Sequence, residues 1–167
     1  MKIEPRTWTT LFLAVLLAAA CADQELPTTL PPDAVLQPAD QMETLARESY
    51  SGVPDRRREV LRSRDALAAF WDELYANRQP VPPVPDVDFG ESMVIAAALG
   101  ERVSGGYGIE VEGIYRTADG LYVVVRETSP GSDCVVTTAL TAPAVLVRVP
   151  RFDGPVAFVE HASEHDC

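Results

Sequence analysis

The sequence has 167 residues, of which 47% are hydrophobic and 23% charged, a composition typical of one globular domain with a real core. Lys and Arg number 14 against 25 Asp and Glu, so the formal net charge is −11 at pH 7. So acidic a surface repels nucleic acid and anionic lipid headgroups. Nucleic-acid binding is therefore not expected.

The N-terminus has the pattern of an export signal. Lys2 and Arg6 precede the apolar run Leu11–Ala20, which ends directly before Cys21. The run is too short for a permanent membrane span, which needs about 20 apolar residues. A basic flank, a short apolar region and small residues before a cysteine predict a signal peptide over residues 1–20, with Cys21 acylated (palmitate-type lipidation) as the membrane anchor. Ordinary cleavage in the same alanine-rich stretch, which releases a soluble protein, is the alternative.

The cysteine count agrees with lipidation. Three cysteines in an exported protein leave one thiol to explain. If Cys21 carries lipid, Cys134 and Cys167 remain and can form a disulfide in an oxidising compartment. Ala22, which stands where an aspartate would signal retention, resembles the pattern of lipoproteins sorted to the outer membrane. The predicted location is the bacterial envelope, lipid-anchored.

Prolines divide the rest of the chain. Residues 21–41 contain four prolines among polar residues and little apolar content, so we expect an extended tether. A single domain is predicted over residues 42–160, followed by a polar tail, residues 161–167, that should be frayed. A second cluster, Pro80–Pro85, reads as a stiff surface connector.

One helix and several strands are predicted within the domain. Ser63 is a good N-cap, and apolar residues at positions 67, 70, 71, 74 and 75 form one stripe, which predicts an amphipathic helix over 64–77. Asp119-Gly120 is typical of a hairpin turn in which glycine takes a positive φ. The fold class is α+β: a mainly antiparallel sheet or sandwich with the helix packed on it. The strand candidates are 43–50, 57–62, Ser92–Leu99, Ile109–Arg116, Leu121–Arg126, Val135–Thr138, Ala144–Val149 and Val156–Glu160.

No catalytic constellation is visible. The only histidines, His161 and His165, lie in the polar tail, so no Ser-His-Asp or Cys-His arrangement can be assembled without them. Their i, i+4 spacing would suit zinc on a helix, but the tail lacks apolar residues to order it. The sequence predicts no enzyme, no cofactor and no metal site; metal-assisted catalysis through the two histidines is the rival.

The most informative segment is the glycine-rich stretch Leu99–Gly108. It lies between two strand candidates and is therefore a loop. Its glycines permit positive φ and expose backbone groups to a partner, and Tyr107 can stack or hydrogen-bond. The alternative is a tight turn whose glycines serve only geometry. No helix start follows, which argues against a phosphate loop.

From about Ser51 to Glu160 the sequence resembles the C-terminal domain of the protease-complex subunit family PrcB. The resemblance implies a small extracytoplasmic β-rich domain, often lipid-anchored, that associates with or stabilises a secreted protease. Cys134 and Cys167 have no counterpart in the family pattern. The residues that carry the resemblance are Leu67-x-x-Phe70-Trp71, Pro85–Phe89, Met93–Ile95, Leu99–Tyr107, Glu127-x-x-Pro130-Gly131 and Thr141-x-Pro143.

A weaker likeness is to chagasin-type cysteine-protease inhibitors, which present three loops from one end of an immunoglobulin-like sandwich. Ala144 stands where those inhibitors have an aromatic residue. The leading hypothesis is a non-catalytic envelope lipoprotein that binds a secreted or envelope protease; a protease inhibitor and a structural envelope lipoprotein are the alternatives. The candidate partner-binding residues are Ser104, Gly105, Gly106, Tyr107, Pro130, Gly131 and Pro143.

Overall fold

A computed structural model describes residues 28–167, which fold into a β-sandwich with one helix on its outer face. The predicted signal peptide, Cys21 and the first part of the tether lie outside the described residues. Within residues 28–167, no helix is long and apolar enough to cross a membrane. The α+β, mainly antiparallel fold class is confirmed.

Two four-stranded sheets form the sandwich. Sheet I has the strand order β1-β5-β6-β8 and sheet II the order β2-β7-β4-β3. All pairs are antiparallel except β6 and β8, which run parallel. The strands are β1 Val35–Leu36, β2 Glu43–Glu48, β3 Arg57–Leu61, β4 Ser92–Ala98, β5 Gly108–Arg116, β6 Leu121–Pro130, β7 Ala144–Pro150 and β8 Val156–His165.

The main core lies between the sheets, and a second core lies between sheet II and the helix. Strand β4 contributes to both: Met93 and Ile95 face sheet I, whereas Val94 and Ala96 face the helix. Because both faces of β4 are covered, the strand reads as a continuous apolar run, not as an alternating one.

Helix α1 (Arg64–Leu74) packs its apolar stripe on sheet II. The Ser63 side chain accepts a hydrogen bond from the Ala66 N–H at 3.2 Å, which is the expected N-cap. Trp71 donates its ring N–H to the Pro82 carbonyl at 2.9 Å, and this bond holds the proline connector against the helix.

The C-terminal residues are ordered by sheet pairing, against expectation. Strand β8 continues through His165 and pairs with β6 along its whole length, up to the register of Pro130 with His165. The prediction of a frayed tail is therefore wrong for residues 161–165. These residues have few apolar side chains to bury; backbone hydrogen bonds to β6 order them instead.

Three other local predictions differ from the structure. Val135–Thr138 forms no strand; Val135 is fully exposed, and the segment bonds to the glycine-rich loop instead. Val35 and Leu36, expected within the free tether, pair with the edge of β5. The β5–β6 turn forms at the predicted place, but Gly120 has no positive φ. The Thr117 hydroxyl closes the turn by accepting hydrogen bonds from the Asp119 and Gly120 N–H groups.

Candidate functional site

Three loops meet at one end of the sandwich, here called the loop end. They are the β2–β3 loop (residues 49–56), the glycine loop (99–107) and the disulfide loop (131–143). Arg102 and Thr141 exchange backbone hydrogen bonds of 2.7 and 2.9 Å, and the Ala142 N–H donates to the Ser49 carbonyl at 2.9 Å. The three loops are thus fixed to one another by backbone bonds.

The structure brings the sequence-predicted residues together here, but several of them serve internal contacts. The Ser104 carbonyl accepts a bond from the Thr141 hydroxyl at 2.8 Å, and the Gly105 N–H donates to Thr137 at 3.0 Å. Pro143 is buried, and its carbonyl accepts a bond from the Leu99 N–H at 2.9 Å. These backbone groups are not available to a partner.

Gly106 is required by local geometry. Its φ is +89°, and a Cβ at this position would lie 2.8 Å from the Pro130 Cβ and 3.0 Å from a Val136 methyl group. A side chain would therefore both strain the backbone and collide with the end of β6 and with the disulfide loop. These contacts fit the alternative stated from the sequence, in which Gly106 serves the geometry of a tight turn and not partner binding. Gly131 lies nearby, and its N–H donates to the His165 carbonyl at 3.0 Å.

Tyr107 and Arg102 form a pair on the glycine loop. Tyr107 is half-buried against the core between the sheets, and the Arg102 guanidinium carbon lies 5.8 Å from the centre of its ring. Arg102 is not among the arginines that form ion pairs within residues 28–167. A cation over an aromatic ring, at a surface, is a frequent recognition element.

Three exposed apolar residues at this end are not predicted by any sequence pattern: Tyr50, Val103 and Leu140. Their exposed fractions are 63%, 80% and 65%. Val103 and Leu140 each adjoin a residue of the antiparallel bridge between Arg102 and Thr141, so their backbones lie near each other. Tyr50 is bridged to Ala142 and shares a shallow depression of about 360 Å³ with Leu140. We call these three residues the apolar ridge; no periodicity marks them, because each lies in a different loop.

A buried arginine lies behind the loop end. Arg58 on β3 has a side chain only 6% exposed, and it pairs with Glu127 on β6 and Glu160 on β8. It also donates to the Ala98 carbonyl at 2.8 Å. This network joins an edge of sheet II to an edge of sheet I and so supports the strands from which the loops emerge.

The two histidines cannot act together. His161 lies 2.8 Å from a Glu112 carboxylate oxygen on the outer face of sheet I. Hydrogen bonds from Arg126, and then from His161, hold the pKa of Glu112 below its usual value. Both histidines are on strand β8 and not on a helix. Four residues of extended strand place their Cα atoms about 13 Å apart. A shared zinc ion, the basis of the enzyme rival, is therefore excluded by this geometry.

Two of the three loops of the loop end lie in a segment that matches a known family. The family model described as PrcB C-terminal matches residues 93–150, from β4 to the end of β7, which include the glycine loop and the disulfide loop. The recognition of a PrcB-like C-terminal domain is thus confirmed over this segment. No curated protein and no solved structure matches the chain.

Proposed function

We propose that the chain is a non-catalytic, lipid-anchored envelope protein that binds a secreted or envelope protease through its loop end. The observation that carries the proposal is the apolar ridge of Tyr50, Val103 and Leu140 beside the Arg102–Tyr107 pair. The match to the PrcB C-terminal family points to association with a protease complex.

The composition of the loop end suits protein recognition. Single exposed apolar residues are common on protein surfaces, but here each of three loops that are bonded to one another contributes one. Tyrosine and arginine are enriched among the residues that dominate binding energy. Backbone bonds already fix the loops, so binding would cost little ordering entropy.

The inhibitor alternative has less support from the contacts. A chagasin-type wedge would present the third loop at Pro143, yet Pro143 is buried and Ala144 already belongs to β7. No loop tip of the expected shape is presented there. A dose-dependent loss of peptide hydrolysis by papain-like or subtilisin-like enzymes would restore this alternative.

Affinity capture with matched variants tests the binding role. The full chain, in detergent, is immobilised and exposed to envelope extract and culture supernatant of its source, and bound proteins are identified by mass spectrometry. We expect a protease to be enriched, and Val103→Asp or Leu140→Asp to reduce its recovery about tenfold or more, since a buried charge in an interface is costly. Val81→Asp, a change at an exposed valine on the proline connector, is the control.

The result has two clear readings if the thermal transitions of all variants stay near that of the wild type. Equal recovery with Val103→Asp, Leu140→Asp and the control would show that the loop end is not the binding surface. Recovery of background proteins alone would favour a structural envelope lipoprotein.

The lipid anchor is tested separately. Residues 1–20 and Cys21 predict that the chain fractionates with membranes and incorporates labelled palmitate. Cys21→Ser should abolish the label and release the chain to the soluble fraction. Unchanged fractionation and labelling would contradict lipidation at Cys21.

A further inference from the structure

Cys134, His165 and Cys167 converge where the disulfide loop meets the end of β8. Cys134 and Cys167 form a disulfide with a Cα–Cα distance of 5.2 Å. The two sulfur atoms and a ring nitrogen of His165 all lie within 4.8 Å of one another. We propose that reduction of this disulfide creates a Cys₂His binding site for Zn²⁺.

The ligand set changes with the redox state. Disulfide sulfurs are poor metal ligands, so of these three side chains only His165 is a ligand in the oxidised chain. A dithiol reductant transfers two electrons and two protons to the disulfide, which yields two thiols, while the dithiol is oxidised to its own disulfide. Zn²⁺ then displaces the two thiol protons, and both thiolates and the imidazole coordinate it, with water or a carboxylate as the fourth ligand.

The geometry needs only a small adjustment. Zn–S bonds of about 2.3 Å and Zn–N bonds of about 2.0 Å place tetrahedral ligands roughly 3.5–3.8 Å apart. The His165 nitrogen, within 4.8 Å of the sulfur atoms, therefore needs to approach by up to about 1 Å. The two sulfur atoms, bonded to each other in the oxidised chain, need to separate by roughly 1.5–2 Å after reduction. The backbone positions do not depend on the disulfide alone, because the Gly131 N–H bonds to the His165 carbonyl and the Cys134 N–H to the Gly131 carbonyl, each at 3.0 Å.

The surroundings favour a cation. Asp133, Glu164 and Asp166 line the same depression of about 280 Å³ as the two cysteines. Their carboxylates add negative charge beside the thiolates, and one of them can supply the fourth ligand. His161, four residues earlier, is held by Glu112 and takes no part.

Zinc binding to the full chain tests the proposal. The chain is reduced with a phosphine, which leaves no competing thiol, and is titrated with Co²⁺ as a spectroscopic probe and then with Zn²⁺ in competition. We expect one Zn²⁺ per reduced chain and a Co²⁺ spectrum with thiolate charge-transfer bands. His165→Gln should weaken Zn²⁺ binding about tenfold or more, whereas His161→Gln should leave it unchanged.

Three results would overturn the proposal: equal Zn²⁺ binding by the oxidised chain, equal binding by His165→Gln, or equal binding by the Cys134→Ser/Cys167→Ser double variant. The thermal unfolding transition of the reduced chain shows whether that chain is still folded before Zn²⁺ is added. Zn²⁺ should raise the transition of the reduced wild type and leave that of the double variant in place. A reduced wild-type chain with the same transition with and without Zn²⁺ would also count against the site.

Discussion

Replacement of the buried Arg58 by methionine should destabilise the sandwich more than the loss of an exposed ion pair does. Arg58 Nε donates to Glu160 at 2.9 Å, and Nη1 donates to the Arg57 and Ala98 carbonyls at 2.8 Å each. Nη2 bonds to both Glu127 and Glu160. Methionine fills similar space and leaves two carboxylates and two carbonyls without these donors.

The expected loss of stability depends on how deeply Arg58 is buried and on which ion pairs Glu127 and Glu160 keep without it. Breaking a buried ion pair costs about 3–5 kcal/mol, because the remaining charge stays desolvated. Two features reduce this cost: Arg56 still pairs with Glu127 and Glu160 at 2.9 Å, and those carboxylates are 24% and 13% exposed. We expect a loss of roughly 2–4 kcal/mol in the free energy of unfolding. The thermal midpoint should fall by roughly 5–12 °C.

Urea unfolding followed by tryptophan fluorescence measures the effect, since Trp71 is buried against sheet II. The control is Arg64→Met, because Arg64 pairs with Asp86 where both side chains are largely exposed, 63% and 93%. That change should cost less than about 0.5 kcal/mol. If Arg58→Met costs no more than Arg64→Met, the network does not join the sheets energetically, and the reasoning from burial fails.

Three further changes test other parts of the fold. Gly106→Ala should lower the free energy of unfolding by about 1–3 kcal/mol because of its positive φ and the close Pro130 contact. Gly108→Ala, where a Cβ would make only an ordinary contact with Thr128 at 3.8 Å, should change it by at most about 1 kcal/mol. Equal urea midpoints for the two variants would contradict this. Burial, with a smaller contribution from the neighbouring Glu48 carboxylate, raises the pKa of Tyr75 to about 12. The stability that the neutral Tyr75 hydroxyl contributes is therefore complete below about pH 10 and is lost as the pH rises toward 12; it amounts to at most about 3 kcal/mol. Tyr75→Phe should lack this part of the alkaline loss when urea unfolding is measured across this pH range. Ser63→Ala should cost about 1 kcal/mol through the lost N-cap, and no change in the urea midpoint would argue against the cap.

Local patterns predicted the elements whose stability is local. Helix α1 is set by the stripe from Leu67 to Tyr75 and by Ser63, all within one segment, and the structure has the helix there, ending at Leu74. Strand β4 is recognisable because both of its faces are buried, which gives an uninterrupted apolar run.

Elements that depend on distant pairing were not predictable in the same way. Residues 161–165 have a polar sequence and are ordered by parallel pairing with β6, some 35 positions earlier in the chain. Val135–Thr138 has the composition of a strand but finds no strand partner in the described residues, so it becomes loop. The edge pairing of Val35 and Leu36 with β5 is likewise set by tertiary contact, not by propensity.

The loop end shows why a glycine pattern predicts close packing of loops but not which residues the packed loops leave exposed. Gly105 and Gly106 lie where the glycine loop closely approaches Thr137, Val136 and the end of β6. Because Gly105 and Gly106 are in contact with neighbouring residues, they offer little surface to a partner. The large apolar residues that stay exposed at the loop end are Tyr50, Val103 and Leu140. Their proximity arises from bridges between residues 102 and 141 and between residues 50 and 142, pairings that no local sequence pattern encodes. Substitutions on the apolar ridge, and not at Gly106, are therefore the changes that can separate loss of binding from loss of fold.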